Sequence, residues 1–112
     1  ARSGSVVRDA AATAKAGAPG LALDGGMQFA AAGSGTVGQL KCPGSPVAGH
    51  ANTFVFPDLQ SGNSGAKIAQ RFGGFELFGP LLQGLNAPIN DLSRGCNAEE
   101  VYITSILPAA VA

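Results

Sequence analysis

Glycine and proline interrupt this 112-residue chain so often that every regular element in it must be short. The sequence contains 17 glycines and 7 prolines, which divide it into brief segments. Its longest apolar stretches, residues 77–82 and 106–112, are broken by glycine or proline. They fall far below the roughly 20 apolar residues that a membrane-spanning helix needs. The pattern therefore predicts a soluble protein that does not cross a membrane.

The composition favours a folded chain that does not bind nucleic acid. Hydrophobic residues make up 46% of the sequence, which indicates burial rather than disorder. Seven basic residues balance seven acidic ones, and the basic residues lie scattered between Arg2 and Arg94. A scattered, charge-poor chain offers no cationic surface for a phosphate backbone. The length is that of one small domain or a part of one.

The two cysteines and the start of the chain give an expectation about its cellular setting. Cys42 and Cys96 lie far apart in a sequence that shows no secretory leader, which favours a reduced, cytoplasmic protein. The chain begins at Ala1 rather than at an initiator methionine, with a helical pattern almost at once. Trimming or truncation of a longer protein is therefore expected.

Helical spacing of small and apolar residues predicts three helices. The first covers about residues 4–16, with Ser3 or Ser5 as its cap. The second starts at Ser61 or Asn63 and ends at about residue 72, before two glycines. The third begins at Asn97 and ends at about residue 107, because proline follows.

Short apolar runs between turn residues predict strands, and one long segment is predicted to be loop. The strands are residues 21–23, 53–56, 75–78 and 88–90. Residues 33–52 hold five glycines and two prolines, which is typical of a loop. Strands that alternate with helices imply an α/β fold with parallel-sheet layers.

Two glycine-rich segments resemble nucleotide-binding motifs only weakly. Residues 33–38 match the pattern G-x-G-x-x-G, but Pro43 and Pro46 follow so closely that no room is left for the helix that such a site requires. An ordinary glycine-rich loop is favoured there. Residues 62–67 lack phosphate-loop spacing and are more typical of a capped helix start, whose free N–H groups can still bind an anion.

The sequence gives no sign of a metal site. His50 is the only histidine and has no carboxylate nearby in sequence to orient it. Cys42 and Cys96 lack the spacing of metal ligands, and Cys96 is most simply a small packed residue before a helix. We therefore expect no metal.

Residues 90–100 form the most informative cluster, and two interpretations fit it. A predicted strand ends there, and a polar turn with Asp91, Ser93 and Arg94 leads into a helix, as at ligand sites of open α/β sheets. Alternatively, Asn97 and Glu100 form a capping box and Asp91 orders the turn. Spacing alone favours the structural interpretation.

Several segments in chain order carry a close resemblance to the phosphate acetyl/butyryltransferase family, which includes the phosphate acetyltransferases. They are Lys41-Cys42-Pro43-Gly44-Ser45-Pro46-Val47-Ala48-Gly49, Phe56-Pro57-Asp58-Leu59, Gly62-Asn63, Gln70-Arg71, Gly79-Pro80, Gln83-Gly84-Leu85 and Pro88-Ile89-Asn90-Asp91-Leu92-Ser93-Arg94-Gly95. The resemblance covers nearly the whole chain but only the C-terminal third of the family. It implies a fragment of a two-domain α/β fold of the isocitrate/isopropylmalate dehydrogenase type. Residues 1–74 would belong to the second domain, and the strand and helix of residues 75–112 would pack on an absent first domain.

The same resemblance implies an activity and roles for six residues. The activity is acyl transfer that interconverts acetyl-CoA plus phosphate with acetyl phosphate plus CoA, without a metal, a bound cofactor or a covalent enzyme intermediate. Carried over by motif, the catalytic residues are Arg94 as a cation, Ser93 as a hydroxyl and Glu100 as the base. The substrate-binding residues are Arg71, Asn63 and Asp91. Expected partners are CoA, acetyl phosphate, inorganic phosphate, the N-terminal part of the enzyme and a second copy in a homodimer.

The sequence departs from the family at several positions, and two other functions stay open. Glu100 stands where the family has an aspartate, and its extra methylene would displace the carboxylate. Ala30 replaces a frequent acidic residue, and Ser64-Gly65-Ala66 replaces a stretch in which an aromatic residue commonly precedes the lysine. Serine and arginine groups that the family carries in its preceding domain are absent from this chain. The alternatives are a noncatalytic structural or interaction fragment, and a small CoA- or nucleotide-binding module.

Overall fold

The computed structural model describes residues 2–111, and over that range the chain forms five helices and no strand. The helices are α1 (Arg2–Gly17), α2 (Phe29–Gly33), α3 (Gly35–Lys41), α4 (Leu59–Phe72) and α5 (Ala98–Val111). The contacts divide the chain into two compact units, one up to Ser64 and one from Gly65 onward. None of the described helices is long and apolar enough to cross a membrane. The sequence analysis predicts that residues 1–74 belong to one domain and that residues 75–112 pack on a domain absent from this chain. This division stays a prediction.

Helix α1 begins and ends close to its predicted limits and packs on the turn that follows it. A β-carbon placed on Gly25 would lie only 2.8 Å from the Ala11 side chain, so glycine allows this turn to approach the helix. In the last turn of α1, the Lys15 ammonium lies 3.2 Å from Oδ1 of Asp24. The helix and the turn are therefore joined by contact and by charge.

Helices α2 and α3 pack against each other and hold the small core of the first unit. Ala31 and Ala32 are its buried apolar residues. Their carbonyl oxygens accept hydrogen bonds from the backbone of a later loop, Gly49 N to Ala31 O at 2.8 Å and Ala51 N to Ala32 O at 3.1 Å. Gly49 has a φ of +83°, a backbone conformation that favours glycine. Backbone hydrogen bonds and small side chains therefore hold this core together.

The prediction of an uninterrupted loop over residues 33–52 was wrong, because α3 lies inside it. The glycines of the G-x-G-x-x-G pattern belong to the helices themselves, and α3 ends at Lys41, just before Pro43. Glycine lowers helix propensity, but Gly38 is buried and sits against the backbone of the 48–49 loop. Tertiary packing that only a glycine permits thus outweighs the local preference for a loop.

The four predicted strands, residues 21–23, 53–56, 75–78 and 88–90, have no regular secondary structure among the residues described. A strand is stable only when its backbone pairs with a neighbour, and no pairing of these segments is present. Most of their side chains are exposed to solvent, with Val55 86% exposed. The chain therefore does not itself confirm the expectation of α/β layers.

Helix α4 starts earlier than predicted, because Asp58 is its cap instead of Ser61 or Asn63. The Asp58 carboxylate accepts hydrogen bonds from the backbone N–H of Ser61 at 2.8 Å and from the Ser61 hydroxyl at 2.9 Å. These bonds satisfy a free N–H of the first turn and hold the pKa of Asp58 below its ordinary value. The predicted end at the Gly73-Gly74 pair is confirmed, with Gly74 at a φ of +70°.

Helix α5 begins where the sequence predicts but continues past Pro108 to Val111. Proline has no N–H for the carbonyl of Thr104, which normally costs about 3 kcal/mol inside a helix. Residues 104, 107 and 108 lie on one face at helical spacing, and that face is buried or partly buried. Burial of this face offsets the lost hydrogen bond, so the predicted end near residue 107 was wrong.

Large apolar side chains are exposed throughout the described residues. All six phenylalanines of the chain are exposed, among them Phe72 at 88%. Within the first unit, the Phe29 ring packs on Phe54 at 4.8 Å and on Phe56 at 6.3 Å between centroids, yet all three remain partly open. Exposure on this scale is typical of surfaces that another protein segment covers.

Candidate functional site

The start of α5 carries the capping box that the sequence predicts. The backbone N–H of Glu100 donates to Oδ1 of Asn97 at 2.9 Å, and the backbone N–H of Asn97 donates to Oε2 of Glu100 at 3.2 Å. Two N–H groups at the helix start are thereby satisfied reciprocally. The structural interpretation of this pair is confirmed, and it places the Glu100 carboxylate beside the first turn of α5.

Helix α4 supplies a second partner for Glu100 that the sequence analysis did not identify. Nε2 of Gln70 donates to Oε1 of Glu100 at 3.1 Å, and Nζ of Lys67 lies 3.4 Å from Oε1 of Gln70. All three side chains are partly buried. Gln70 and Glu100 are 30 positions apart, so helical spacing carries no signal of the contact. The result is a row of three groups in which an amide lies between a cation and a carboxylate.

The turn before α5 presents Ser93 and Arg94 to solvent. Oγ of Ser93 accepts a hydrogen bond from the Gly95 N–H at 3.3 Å, and its carbonyl oxygen accepts one from the Cys96 N–H at 3.0 Å. The expectation that Asp91 orders this turn was wrong, since its exposed carboxylate has no hydrogen bond within residues 2–111. Ser93 orders the turn instead, because its hydroxyl accepts from the Gly95 N–H and its carbonyl oxygen accepts from the Cys96 N–H.

The remaining predicted site residues are exposed and unpartnered within the described range. Arg71 follows Gln70 at the end of α4, and its guanidinium, like that of Arg94, has no ion pair there. An unpaired guanidinium presents five donors that suit phosphate oxygens. Asn63 lies on α4 within the first unit, while the other five predicted residues belong to the second. The second unit therefore groups Ser93, Arg94 and Glu100 on one turn and helix start.

A cavity of about 300 Å³ lies between the 88–92 segment and α5. Its lining includes Pro88, Leu92, Thr104 and Pro108 together with Asn90. Oδ1 of Asn90 accepts a hydrogen bond from the Leu82 N–H at 2.9 Å, whereas its Nδ2 is buried with no partner among the described residues. The Asn90 amide therefore connects the 88–92 segment to Leu82 through its oxygen only.

The first unit contains one polar network that sequence reasoning did not find. The Asp24 carboxylate accepts hydrogen bonds from the Ser45 hydroxyl at 2.5 Å, the Gly25 N–H at 2.9 Å and the Lys15 ammonium at 3.2 Å. The hydrogen bond from the Ser45 hydroxyl has the largest effect on the pKa of Asp24. The hydrogen bonds and the nearby Lys15 charge together outweigh the desolvation of the carboxylate and lower this pKa. The network joins α1 to the 42–51 loop through Asp24, which is 21 residues from Ser45, a separation that no local motif indicates.

The cysteines and the histidine form no cluster with acidic residues in the described part of the chain. No group of three or more His, Cys, Asp or Glu side chains there is placed to hold a metal ion. Both cysteines are free and partly buried. The backbone N–H of His50 donates to the carbonyl of Val47 at 2.9 Å within the loop, and its side chain is exposed.

Comparison with protein families and known proteins gives one consistent result. The family model described as "Phosphate acetyl/butaryl transferase" matches residues 2–109. The phosphate acetyltransferase of Bacillus subtilis strain 168 is 58% identical over 106 residues, which are 95% of this chain and 33% of that protein. The phosphate acetyltransferase of Staphylococcus epidermidis strain RP62A is 55% identical over 92 residues. That match covers 82% of this chain and 28% of the relative.

A solved structure agrees with the sequence matches. The EutD phosphotransacetylase from Staphylococcus aureus superposes with a TM-score of 0.78 at 50% sequence identity. The superposition covers 92% of this chain and 32% of that chain. The chain thus spans about a third of the length of the curated relatives that it matches. Its backbone follows the family fold despite the absence of strands among the described residues.

Proposed function

This chain belongs to the phosphate acetyl/butyryltransferase family, and we propose from that premise that it supplies part of an acyltransferase active site. The reaction interconverts acetyl-CoA and phosphate with acetyl phosphate and CoA. The chain spans about a third of the length of its relatives, and we propose that the complete activity also needs the part of the family's length that lies outside this match.

The observation that carries the proposal is the arrangement of residues 93–100. An exposed hydroxyl and an exposed guanidinium stand on one short turn, and a carboxylate held by two hydrogen bonds follows in the first turn of α5. Acyl transfer to a thiol needs these groups, namely a base for the thiol proton and donors for developing negative charge.

In the proposed mechanism, the CoA thiol gives its proton to Glu100 as its sulfur attacks the carbonyl carbon of acetyl phosphate. A C–S bond forms, the C–O bond to phosphate breaks, and phosphate leaves with the electron pair. The Arg94 guanidinium stabilises the negative charge that grows on the reacting oxygens, and the Ser93 hydroxyl donates a hydrogen bond beside it. The reverse reaction uses the same groups, with Glu100 returning the proton to the thiolate.

Arg71, Asn63 and Asp91 are proposed to bind substrate. The free guanidinium of Arg71 suits the phosphate group of acetyl phosphate, since it forms charge-assisted hydrogen bonds with phosphate oxygens. The amide of Asn63 and the carboxylate of Asp91 are polar contacts available to acetyl phosphate or CoA. A homodimer, a cytoplasmic location and a site that needs neither metal nor bound cofactor also belong to this proposal.

A chimera tests the function without the rest of the natural protein. The matching third of the Bacillus subtilis phosphate acetyltransferase is replaced by this chain, which is 58% identical to it. We expect the chimera to convert acetyl phosphate and CoA to acetyl-CoA, and the 112-residue chain alone to be inactive. A folded chimera without turnover would contradict the proposal.

Substitutions in the chimera assign the roles. Arg94→Gln should lower kcat more than it raises KM, because a cation that meets transition-state charge adds little in the ground state. Glu100→Gln should lower turnover by roughly 10²- to 10⁴-fold with an unchanged melting curve, since glutamine caps but accepts no proton. Glu100→Asp should keep or improve activity. Glu99→Gln, at the exposed neighbouring position, is the matched control and should leave kcat unchanged.

One observation favours the alternative of a noncatalytic interaction fragment. Large apolar side chains such as Phe72 and Phe75 are exposed, as expected of a segment whose partner covers them. Binding of the isolated chain to the remaining two thirds of the Bacillus subtilis enzyme, without recovery of turnover, would favour this alternative.

A further inference from the structure

We propose that Gln70 is a positioning residue that fixes the Glu100 carboxylate for proton transfer. The inference rests on the proposed function, because it assigns Gln70 a task only if Glu100 is the base. It starts from a contact between two helices, the 3.1 Å hydrogen bond from Nε2 of Gln70 to Oε1 of Glu100.

The capping box alone leaves the orientation of this carboxylate open. Its hydrogen bond from the Asn97 N–H holds only Oε2, at 3.2 Å. The last torsion of a glutamate side chain is broad, so a carboxylate held at one oxygen can still rotate. The Gln70 amide holds the other oxygen from a different helix. Two anchors on two oxygens fix the plane of the carboxylate, and each oxygen keeps a further acceptor position for a thiol proton.

Lys67 determines which end of the Gln70 amide faces Glu100. Its ammonium lies 3.4 Å from Oε1 of Gln70, so the amide oxygen faces a cation and the amide nitrogen faces the carboxylate. The reversed amide would place its oxygen against the carboxylate and its nitrogen against the ammonium, which is unfavourable at both ends. The donor is therefore held in the orientation that serves Glu100.

The length of the glutamate side chain explains why such an anchor is needed. Glu100 has one more rotatable bond than the aspartate that the family resemblance implies, so an unanchored carboxylate samples more positions. A misplacement of about 1 Å in a reacting group is enough to cost on the order of 10²-fold in rate. The hydrogen bond from Gln70 restores a defined position for the longer side chain.

The test is a double-mutant cycle in the full-length chimera. Gln70→Met removes the amide with little change in side-chain length, and Gln60→Met places the same substitution on the same helix, at an exposed residue. Gln70→Met should lower kcat by about 10- to 100-fold with little change in either KM or the melting temperature, whereas Gln60→Met should change none of them. In the Glu100→Gln background, Gln70→Met should lower kcat by less than about twofold, because no base is left to position.

Three results would overturn the inference. If Gln70→Met and a second variant, Gln70→Ala, leave kcat normal while Glu100→Gln abolishes it, Glu100 is the base but needs no anchor from Gln70. If Gln70→Met lowers kcat equally in both backgrounds, its role is structural. If Glu100→Gln itself retains normal turnover in a reaction limited by chemistry, the base assignment fails and the positioning role fails with it.

Discussion

Replacement of Gly38 by alanine should destabilise the packing of α3 on the loop around Gly49. A β-carbon on Gly38 would lie 2.8 Å from the backbone nitrogen of Gly49 and 2.9 Å from the carbonyl oxygen of Ala31. It would also lie 2.9 Å from the carbonyl carbon of Ala48. All three atoms belong to the backbone, so no side chain can rotate to make room.

The expected magnitude follows from two opposing effects. Overpacking by one methyl group costs about 1–3 kcal/mol, and three backbone contacts place this site in the upper part of that range. Alanine in a helix is about 1 kcal/mol more favourable than glycine, which offsets part of the cost. The net loss is therefore about 1–2 kcal/mol, or roughly a 5- to 30-fold shift toward the open state.

Hydrogen exchange of the 47–51 segment in the chimera measures this loss locally. The Gly49 and Ala51 amides donate to Ala31 and Ala32, so they exchange when the loop leaves α2 and α3. Gly35→Ala is the matched control on the same helix, because nothing lies within 4 Å of its added β-carbon. It should leave protection unchanged or raise it. Equal protection in wild type and Gly38→Ala, or equal losses in Gly35→Ala and Gly38→Ala, would refute the reasoning.

Three further predictions concern acid stability, helix capping and association. The pKa of Asp24 is lowered in the folded chain, so its ionised form stabilises the fold above its ordinary pKa of 3.8, and this stabilisation is lost as the pH falls through the lowered value. Asp24→Asn should therefore flatten the decline in stability that urea titrations show as the pH falls below 3.8. Asp58→Ala removes the acceptor of the Ser61 N–H, and faster exchange of that amide with an unchanged Gly73 amide should follow. The isolated chain should associate with rising concentration in sedimentation experiments because its large apolar side chains are exposed; a stable, cooperative monomer would contradict this.

Local capping chemistry explains why α4 and α5 were predictable from the sequence, whereas α2 and α3 were not. The Asn97 and Glu100 pair is three residues apart, so its reciprocal hydrogen bonds follow from the sequence, and so does the stop of α4 at two glycines. The start of α4 was missed because three neighbouring polar residues can all cap a helix, and only the structure shows that Asp58 does so.

Features that depend on distant partners were not predictable in the same way. Helix α3 forms inside a glycine-rich segment because Gly38 packs against the backbone of a later loop. No local sequence pattern predicts this contact. Strand prediction for residues 53–56 rests on β-branched and aromatic side chains, yet strands form only with neighbours to pair with. In the candidate site, the resemblance led us to propose Glu100 as the base, whereas its hydrogen-bond partner Gln70 lies on another helix and is seen only in the structure.

The small size of the buried side chains has a calorimetric consequence. Ala31, Ala32 and Thr104 are the buried residues of the described chain besides Gly38, so folding removes little apolar surface from water. The heat-capacity change of unfolding scales with that surface, at about +0.45 cal/K/mol for each Å² of apolar area. The chain by itself should therefore melt with a small enthalpy over a broad temperature range. Once the phenylalanines are covered by another protein surface, the heat-capacity increment rises and the transition sharpens, so calorimetry reports directly whether that surface is in place.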